Sequence, residues 1–491
     1  MPLSQHETPL FTGILNHIRR NPIPFHIPGH KKGRGMDPEF REFIGEAALA
    51  MDLINISPLD DLHRPTHIIK RAQELAAEAF GADHTFFSVQ GTSGAIMTMI
   101  LATCQPGDKI IVPRNVHKSV MTAIVLADAI PVFIHPVLDE RTGIAHGITT
   151  TALAKALDEH PDAKAVLIIN PTYYGIAADL KRMVELAHAR DIPVLVDEAH
   201  GVHIHFHEQL PLSAMQAGAD MAATSMHKLG GSLTQSSILN VKGNRINPNR
   251  VQAILSMLTT TSTSYLLLAS LDAARRYLAT QGRRLLSETL ALAQEAREQI
   301  ANIPGLYCIG PEILGSEATY AMDLTKLLIC VKDLGITGYE AEIWLREHYN
   351  IEVELSDLYN ILCILTPGDT KETVGVLIRA LQHLSREYEH QISACPIQVH
   401  LPPIPVLAIT PREAFYADTE TVPLQEAVGR IIAEFIMVYP PGIPILLPGE
   451  IIEQESLDFI RRNIEAGLPV QGPEDPTLQT VKVIKKYRPI A

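Results

Sequence analysis

The sequence predicts an α/β protein: a large domain with a mostly parallel sheet covered by helices, followed by two smaller α+β domains. Three observations support this prediction. Short apolar β-type runs alternate with helical runs from about residue 70 onward, which is typical of a parallel sheet. Hydrophobic residues make up 46% of the chain and charged residues 20%, so it can bury a sizeable core. Its 491 residues correspond to roughly three domains of about 150 residues each.

The N-terminal part of the sequence predicts an arm and then a loop. Residues 1–20 form the predicted arm. The stretch FHIPGHKKG at residues 25–33 follows, and its Pro and Gly residues are too closely spaced for a helix.

The following part of the chain predicts the strands and helices of the large domain. Predicted strands cover residues 85–89, 109–112, 165–169, 194–196, 221–224 and 237–241. Helical patterns cover residues 68–80, 93–104 and 180–190. Ligands of parallel sheets bind at the carboxyl ends of the strands. The residues that follow each strand are therefore the first candidates for a functional site.

The remaining sequence predicts the two smaller domains. A long helical pattern covers residues 275–300, and residues 326–385 predict the order β-α-β-β-α, with helices at 338–349 and 371–388. A proline-rich stretch at residues 395–405 resembles a linker. The predicted boundaries are an arm at 1–20, a large domain at 21–275, a small α+β domain at 276–390, a linker at 391–405 and a C-terminal α+β domain at 406–491.

Charge and cysteine content limit the class of partner and the compartment. The formal net charge is −14 and the isoelectric point is near 5.8. This argues against nucleic acid or an anionic membrane as a partner and suits a small cationic molecule. No apolar run approaches the roughly 20 residues of a membrane helix, and residues 1–20 have no apolar signal core. The five cysteines are widely spaced without a CxxC pair, so we expect reduced thiols and a cytoplasmic location.

Two residues at predicted strand ends suggest a cofactor. Asp197 ends an apolar strand, and Lys228 follows the next strand, 31 residues later. That gap is about one β-α-β unit, which places both residues on the same edge of the sheet. Pyridoxal phosphate needs such a pair, because an amine holds its aldehyde as an imine and a carboxylate keeps its ring nitrogen protonated.

A third feature fits the phosphate of this cofactor. The stretch GTSGA at residues 91–95 follows a predicted strand and opens a helix, whose N-terminus attracts anions. Ser225, three residues before Lys228, offers another hydroxyl. Together, in this order, the lysine, the carboxylate and the cradle predict a site for pyridoxal phosphate.

The sequence resembles the fold-type-I, pyridoxal-phosphate-dependent decarboxylases of ornithine, lysine and arginine. Nine stretches recur in one order over nearly the whole chain. They are FHIPGHKKG, DLINISPLDDLHRP, FGADHTFFSVQGTSGA, VPRNVHKS, NPTYYG, VDEAHGVH, TSMHKLGG, TTTSTSYLLLAS and YPPGIPILLPGE. The chain is most similar to the short biosynthetic members of Gram-positive bacteria that act on arginine. The resemblance implies an aspartate-aminotransferase-like large domain that binds the cofactor.

The resemblance also implies roles for individual residues. Lys228 would be the Schiff-base lysine, and Asp197 would pair with the pyridinium nitrogen. His200 would lie near the imine or the substrate carboxylate. His117 would stack on the ring, with Ala199 on its opposite face.

The phosphate group would lie among residues from several motifs. Those implied by the resemblance are Gly91, Thr92, Ser93, Ser225 and His227. One residue among Thr261, Ser262 and Thr263 would reach the phosphate of a neighbouring subunit, which implies a homodimer or a multiple of dimers. Many family members carry proline where this chain has Thr263, so the contacting residue stays open.

Two motifs suggest other functions, but the further sequence elements that those functions require are absent. Asp197-Glu198-Ala199-His200 spells the DEAH box of helicases, but no GxxxxGK[ST] phosphate loop occurs. His203, His205 and His207 alternate, and with His200 they suggest zinc. The HExxH pattern fails because residue 211 is proline, so we expect no metal.

Two other classes of protein with this fold remain as alternatives: an aminotransferase and a non-catalytic binding protein. Aminotransferases usually hold the substrate carboxylate with an arginine of the small domain, but the candidate strand at 351–357 has no basic residue. A decarboxylase must leave that carboxylate free to tilt perpendicular to the cofactor ring. The intact Lys228 and Asp197 argue against a non-catalytic protein.

Acidic residues predict the substrate. Glu352 and Glu354 lie two residues apart on one face of the candidate strand, with Asp357 just beyond. A planar guanidinium accepts a two-pronged carboxylate contact. Together with the resemblance to the members that act on arginine, which implies decarboxylation of L-arginine to agmatine in polyamine synthesis, these acids favour arginine, with lysine or ornithine as alternatives. Glu354 is the first candidate for the distal cation, and Asp60 or Asp61 the next.

Overall fold

The computed structural model describes residues 4–393, 401–438, 443–465 and 470–485. Three features of the sequence lie outside the described residues: Cys395, residues 394–400 of the predicted linker, and the Tyr439-Pro440-Pro441-Gly442 part of the last motif. The chain divides into two compact units. The first unit comprises Met1–Thr103 and Ala187–Leu286, and the second comprises Cys104–Leu186 and Ser287–Ala491. The predicted domain boundaries stay predictions.

The described residues form sixteen α-helices and eighteen strands. The helices are α1 Pro9–Arg19, α2 Pro38–Ile44, α3 Glu46–Met51, α4 Ile68–Phe80, α5 Gly91–Thr103, α6 Lys118–Ala127, α7 Thr150–Glu159, α8 Leu180–His188, α9 Ala214–Ala217, α10 Met226–Leu229, α11 Pro248–Leu258, α12 Tyr265–Ile300, α13 Gly338–Tyr349, α14 Lys371–Glu387, α15 Pro411–Tyr416 and α16 Gln454–Glu465. The strands are β1 His84–Ser88, β2 Lys109–Pro113, β3 Ile130–Ile134, β4 Ala165–Ile169, β5 Ile176–Ala177, β6 Val194–Asp197, β7 Met221–Thr224, β8 Ser237–Val241, β9 Tyr307–Cys308, β10 Ala321–Met322, β11 Lys326–Cys330, β12 Leu355–Ser356, β13 Asn360–Ile364, β14 Thr419–Pro423, β15 Ile436–Val438, β16 Ile443–Leu446, β17 Val470–Gln471 and β18 Thr480–Ile484.

The first unit contains four sheet strands in the order β1-β8-β7-β6. Strands β6 and β7 are parallel, with Asp197 opposite Ala223, whereas β1 and β7 both run antiparallel to β8. Every residue of β6 and β7 is buried, as expected for strands covered on both faces. Helix α4 packs on β1 and ends at Gly81, whose positive φ of 69° favours glycine.

The second unit contains three parallel strands in the order β4-β2-β3. An antiparallel sheet with the order β12-β13-β11-β9 contributes, with α13 and α14, to a core around Trp344. The C-terminal region, which we define as the described residues from 401 to 485, has two small antiparallel sheets. It also has its own buried cluster, which includes Ile432, Leu457 and Val483.

Most predicted elements of the large domain agree with the structure. The predicted strands at 165–169, 221–224 and 237–241 coincide with β4, β7 and β8, and the predicted helix at 68–80 coincides with α4. The proline- and glycine-rich stretch at 25–33 contains no helix or strand, as predicted. The predicted arm contains helix α1, whose Leu10 and Ile14 are fully buried.

Two elements differ from the prediction. Helix α12 begins at Tyr265, ten residues before the predicted start at 275, because the Ser264 side chain accepts a hydrogen bond from the Leu267 backbone at 3.4 Å and caps the first turn. The strand predicted at 351–357 is only Leu355–Ser356, at the edge of its sheet. Before this strand, the Glu354 backbone N–H donates to the Leu362 carbonyl of β13 at 2.9 Å, and the Glu352 side chain forms an ion pair with Arg346.

Candidate active site

The first unit holds the lysine and the carboxylate at neighbouring strand ends. Asp197 is the last residue of β6, and its Oδ1 accepts a hydrogen bond from the Ala199 backbone at 3.1 Å. Lys228 lies in α10, which starts two residues after the parallel strand β7. The chain therefore arrives at both residues from the same edge of the sheet, as the β-α-β spacing predicts.

His200 contacts the lysine directly. The Nζ of Lys228 lies 2.7 Å from Nε2 of His200. His200 is buried while Lys228 is exposed in the described chain, so the imidazole stands at the inner side of the amine. The end of β6 and the loop after it thus supply Asp197, Ala199 and His200 within four consecutive residues. A carboxylate, an imidazole and an amine in one loop-lined site are suited to proton transfer and covalent chemistry.

Three hydroxyl groups gather at the start of α5. The Thr92 Oγ1 is hydrogen-bonded to the Ser225 hydroxyl and lies 2.7 Å from the Ser237 Oγ. Helix α5 begins at Gly91, whose backbone N–H donates to the Gln235 carbonyl at 2.9 Å. The N–H groups of Thr92 and half-buried Ser93, in the same first turn, have no acceptor within the helix. Gly91 has a φ of 66°, and a Cβ built there would meet no atom within 4 Å. Open space, hydroxyls and a helix N-terminus fit the phosphate of pyridoxal phosphate.

His227 follows Ser225 of this cluster by two residues. Its Nδ1 donates to the Ser236 carbonyl at 2.9 Å, which fixes the orientation of the ring. The Nε2 is the other ring nitrogen of His227.

Two residues of this site were missed by the sequence analysis. Ser237, the first residue of β8, is fully buried and joins the hydroxyl cluster. Glu198 is buried beside Asp197, where its Oε1 accepts from the Ala214 backbone at 2.6 Å and its Oε2 from the Thr224 hydroxyl at 3.2 Å. Burial, with a further contribution from the charge of Asp197, raises the pKa of Glu198 to about 8. The sequence could have pointed to Glu198, because it lies next to Asp197 in the DEAH motif. No sequence pattern in β8 pointed to Ser237.

His117 lies in the second unit, at the N-cap of α6. Its Nδ1 accepts a hydrogen bond from the Ser119 backbone at 3.2 Å and lies 2.8 Å from the Ser119 hydroxyl. His117 is exposed in the described chain and lies four residues after the end of β2. A planar imidazole can stack on a planar ligand.

The three acidic residues of the second unit that could bind the distal cation of the substrate lie in different environments. Glu354 is exposed, and its Oε1 accepts a hydrogen bond from the Tyr173 hydroxyl at 2.6 Å. Glu352 binds Arg346 in two-pronged fashion, with separations of 2.8 to 3.0 Å. Asp357 is buried and accepts from the Tyr359 and Asn360 backbones, so it stabilises a turn. Tyr173, in the NPTYYG motif, was not singled out from the sequence.

Asp60 in the first unit caps helix α4. Its carboxylate accepts from the backbones of Thr66 at 2.9 Å, His67 at 2.8 Å and Ile69 at 3.0 Å. Although burial raises its pKa, these backbone donors lower the pKa of Asp60 overall. The neighbouring Asp61 accepts from Asn55 and from the His63 backbone. Both carboxylates therefore stabilise their own loop.

The stretch predicted to meet a neighbouring subunit has both buried and exposed members. Thr263 is only 1% exposed, and its hydroxyl has no hydrogen-bond partner among the residues that the structure describes. Thr261 and Ser262 are exposed. Exposure makes these two residues better placed than Thr263 to contact another subunit.

The alternating histidines do not lie along one strand face. Ile204–Phe206 is a 3₁₀ turn, and the His205 Nδ1 lies 2.8 Å from the Ser213 hydroxyl. Burial, followed by the charge of Lys242, lowers the pKa of His205 to about 4. Within the described parts of the chain, no group of three or more His, Cys, Asp or Glu residues has the arrangement of a metal site.

Comparison with known protein families identifies the chain. The model of the major domain of Orn/Lys/Arg decarboxylases matches residues 8–373, and that of the C-terminal domain of these decarboxylases matches residues 396–469. This chain belongs to the Orn/Lys/Arg decarboxylase family. The family confirms the resemblance read from the nine motifs and, with it, the dependence on pyridoxal phosphate.

Individual relatives agree with this assignment. The arginine decarboxylase of Bacillus subtilis (strain 168) is 67% identical over 489 residues, covering 99% of this chain and 100% of the relative. The arginine decarboxylase of Bacillus anthracis is 66% identical over 490 residues, covering 100% of this chain and 99% of the relative. These similarities support the predicted activity of an amino-acid decarboxylase and favour arginine among the three expected substrates.

Solved structures confirm the predicted fold class. The lysine decarboxylase of Francisella novicida superimposes with a TM-score of 0.85 at 24% identity, covering 97% of this chain and 81% of that chain. The constitutive lysine decarboxylase of E. coli gives a TM-score of 0.82 at 22% identity, with coverages of 98% and 82%. Among the described helices, none is both long and apolar enough to span a bilayer.

Proposed function

We propose that this chain decarboxylates L-arginine to agmatine and CO2 in polyamine biosynthesis, with Lys228 as the cofactor-binding lysine. The observation that carries the proposal is the placement of Lys228 and Asp197 at the ends of parallel neighbouring strands, with His200 only 2.7 Å from the lysine amine. When bound, pyridoxal phosphate supplies an electron sink for the electron pair left behind by departing CO2.

The chain's own residues hold that cofactor and handle protons. Lys228 would hold the aldehyde covalently, and its amine, beside His200, would be placed to move a proton. Asp197, buried at the end of β6, would supply the negative charge that keeps the pyridine nitrogen protonated. His117 would stack on the ring and Ala199 would lie at its opposite face, as the resemblance implies.

The phosphate is held by neutral hydroxyls and one imidazole. Thr92, Ser225 and Ser237 form a hydrogen-bonded cluster with several donors, and the first turn of α5 adds its backbone N–H groups. His227, which follows Ser225 by two residues, would add a ring nitrogen to this group. Together these residues would hold the cofactor in a fixed orientation.

Glu354 recognises the distal cation of the substrate. Its Oε1 is held by Tyr173, which orients the carboxylate and leaves the second oxygen to a guanidinium N–H. Glu352 is already paired with Arg346, and the Asp60 carboxylate is already occupied by backbone donors, so neither is proposed as the substrate's partner. Residues 351–357 contain no cation for the substrate carboxylate, which supports decarboxylation rather than transamination.

The active assembly is a homodimer, or a multiple of one, in the cytoplasm. Exposed Thr261 and Ser262 support a contribution from a second subunit to the phosphate site. The four described cysteines are free thiols, and those of Cys104, Cys330 and Cys363 are buried. Free, buried thiols are typical of a reducing compartment.

Product analysis with purified enzyme tests the substrate. Arginine, lysine and ornithine are supplied separately, and agmatine, cadaverine, putrescine and CO2 are measured together with kcat/KM. A buried or oriented acid that loses its partner costs about 1–3 kcal/mol, so we expect arginine to be preferred by roughly 10-fold or more. Lysine or ornithine turnover equal to that of arginine would overturn the substrate assignment.

A further inference from the structure

The segment that carries His117 is short and bounded by two polar residues. It starts at Arg114, directly after β2, continues through the His117 cap into α6, and ends at Asp128, the C-cap of α6. The backbone N–H of Arg114 donates to the Ile134 carbonyl at 2.8 Å. We define residues 114–128 as the His117 segment. The position of the imidazole depends on how both ends of this segment are held.

The C-terminal region holds the first end through a buried ion pair. Arg114 and Glu450 are each 1% exposed, and they meet in two-pronged fashion at 2.5 and 2.8 Å. The same guanidinium donates to the carbonyls of Pro444 at 3.0 Å and Ile445 at 3.2 Å. The Arg114 guanidinium therefore has acceptors from three residues of the C-terminal region.

Glu450 is in turn fixed by its own surroundings. Its Oε2 also accepts from the Leu447 backbone at 2.8 Å, so the carboxylate cannot follow Arg114 if the segment shifts. The guanidinium lies 4.6 Å from the centre of the Phe133 ring, which restricts it from another side. Removing one partner of such a buried pair leaves the other charge uncompensated.

The C-terminal region also holds the far end of the segment. Arg412, in α15, donates to the carbonyls of Val125 at 3.4 Å and Leu126 at 3.0 Å, in the last turn of α6. The Thr410 hydroxyl donates to the Asp128 carboxylate at 3.3 Å. A cation at the C-terminus of a helix satisfies its terminal carbonyls and complements its dipole.

We propose that the C-terminal region is a positioning device for His117, acting through Glu450 at one end of the His117 segment and Arg412 at the other. This inference rests on the proposed function in one respect, namely that His117 stacks on the cofactor. Stacking requires the ring to be held at a defined height and tilt, and rigid supports at both ends of a short segment provide that. Neither Glu450 nor Arg412 touches the cofactor, so both are positioning residues.

The C-terminal region has a buried cluster of its own, which includes Ile432 and Leu457. Its surface also offers a matched control, the pair of Arg430 and Glu420, which meets at 2.5 Å but is partly exposed and remote in sequence from the His117 contacts. The control pair separates loss of a salt bridge from loss of the positioning contact.

A double-mutant cycle on the affinity for pyridoxal phosphate tests the proposal. Apoenzyme is titrated with the cofactor in the wild type, Glu450→Gln, Arg412→Ala, the control Glu420→Gln, His117→Ala, and the two combinations of His117→Ala with Glu450→Gln and with Arg412→Ala. We expect Glu450→Gln to weaken binding roughly tenfold and Arg412→Ala to weaken it in the same direction, whereas Glu420→Gln leaves it unchanged. In the His117→Ala background, neither substitution should weaken binding further.

Three results would overturn the proposal: wild-type affinity in both Glu450→Gln and Arg412→Ala, equal losses with and without His117, or wild-type affinity in His117→Ala itself. If Glu450→Gln fails to fold, the Arg412→Ala arm of the cycle still decides, because Arg412 is only half-buried. Borohydride labelling of Lys228 in the same wild-type preparation reports on the proposed function separately. A labelled Lys228 with additive losses rejects the positioning role alone, whereas an unlabelled Lys228 rejects the proposed function.

Discussion

The amine of Lys228 lies 2.7 Å from the Nε2 of His200, although the two residues follow different strands. The parallel pairing of β6 and β7 brings the two chain segments out at one edge of the sheet. At that distance the imidazole accepts a proton or donates one to the lysine, depending on which of the two is charged. This contact gives the lysine a defined position before any ligand binds.

Asp197→Asn tests the role of the carboxylate at the end of β6. The amide keeps the shape of the side chain and its acceptor for the Ala199 backbone, but it removes the charge. We expect kcat to fall roughly 100-fold or more with little change in the melting temperature. Steady-state kinetics and thermal unfolding measure the two effects. Near-normal turnover would contradict the role of Asp197 at the pyridine nitrogen.

Glu354→Gln and Glu352→Gln form a matched pair for substrate recognition. The first removes the charge that Tyr173 orients, whereas the second removes a charge already paired with Arg346. We expect Glu354→Gln to lower kcat/KM for arginine roughly 10-fold or more, mainly through KM, and Glu352→Gln to change it little. A larger loss of kcat/KM in Glu352→Gln than in Glu354→Gln would instead assign the cation site to Glu352.

Glu198→Gln is expected to change the pH dependence of stability. Glu198 has a folded-state pKa raised from 4.5 to about 8, chiefly by burial, so the folded protein keeps a proton that the unfolded chain has lost. Its contribution to stability is present below pH 4.5 and declines as the pH rises towards 8. The variant should therefore gain stability relative to wild type over this window.

Denaturant unfolding at a series of pH values measures this difference. Glu185→Gln, on α8, is the control, because the Glu185 side chain is exposed whereas that of Glu198 is buried. If the free energies of unfolding of Glu198→Gln and wild type differ by a constant amount from pH 5 to about 8, Glu198 is ionised throughout this range and the prediction is wrong.

Hybrid dimers test the contribution of a second subunit. Lys228→Ala and the double variant Thr261→Glu/Ser262→Glu are each expected to be nearly inactive, because the new acids repel the phosphate. Mixing them after mild dissociation should restore roughly a quarter of wild-type activity, since half of the dimers are hybrids with one intact site of two. No recovery, together with a fully active monomer in sedimentation, would show that the site is complete within one chain.

The sequence predicted the parts of the site that follow from local order, and missed those that depend on distant contacts. The spacing of the strands along the sequence was sufficient to predict that Asp197 and Lys228 lie at the same edge of the sheet, because parallel strands end at one edge. The hydrogen bond between Tyr173 and Glu354 spans 181 positions in sequence, and no local pattern encodes it. The role of Asp60 was left open because a capping carboxylate and a binding carboxylate look the same until the backbone donors around it are known.

Reductive labelling of the lysine tests the central claim most directly. The purified enzyme, loaded with pyridoxal phosphate, is treated with borohydride, digested and mapped by mass spectrometry, with the Lys228→Ala variant as the blank. We expect a single phosphopyridoxyl group on Lys228, in the TSMHK peptide, and none in the variant. A label on Lys118 or Lys31 instead, or an equally labelled Lys228→Ala variant, would contradict the assignment.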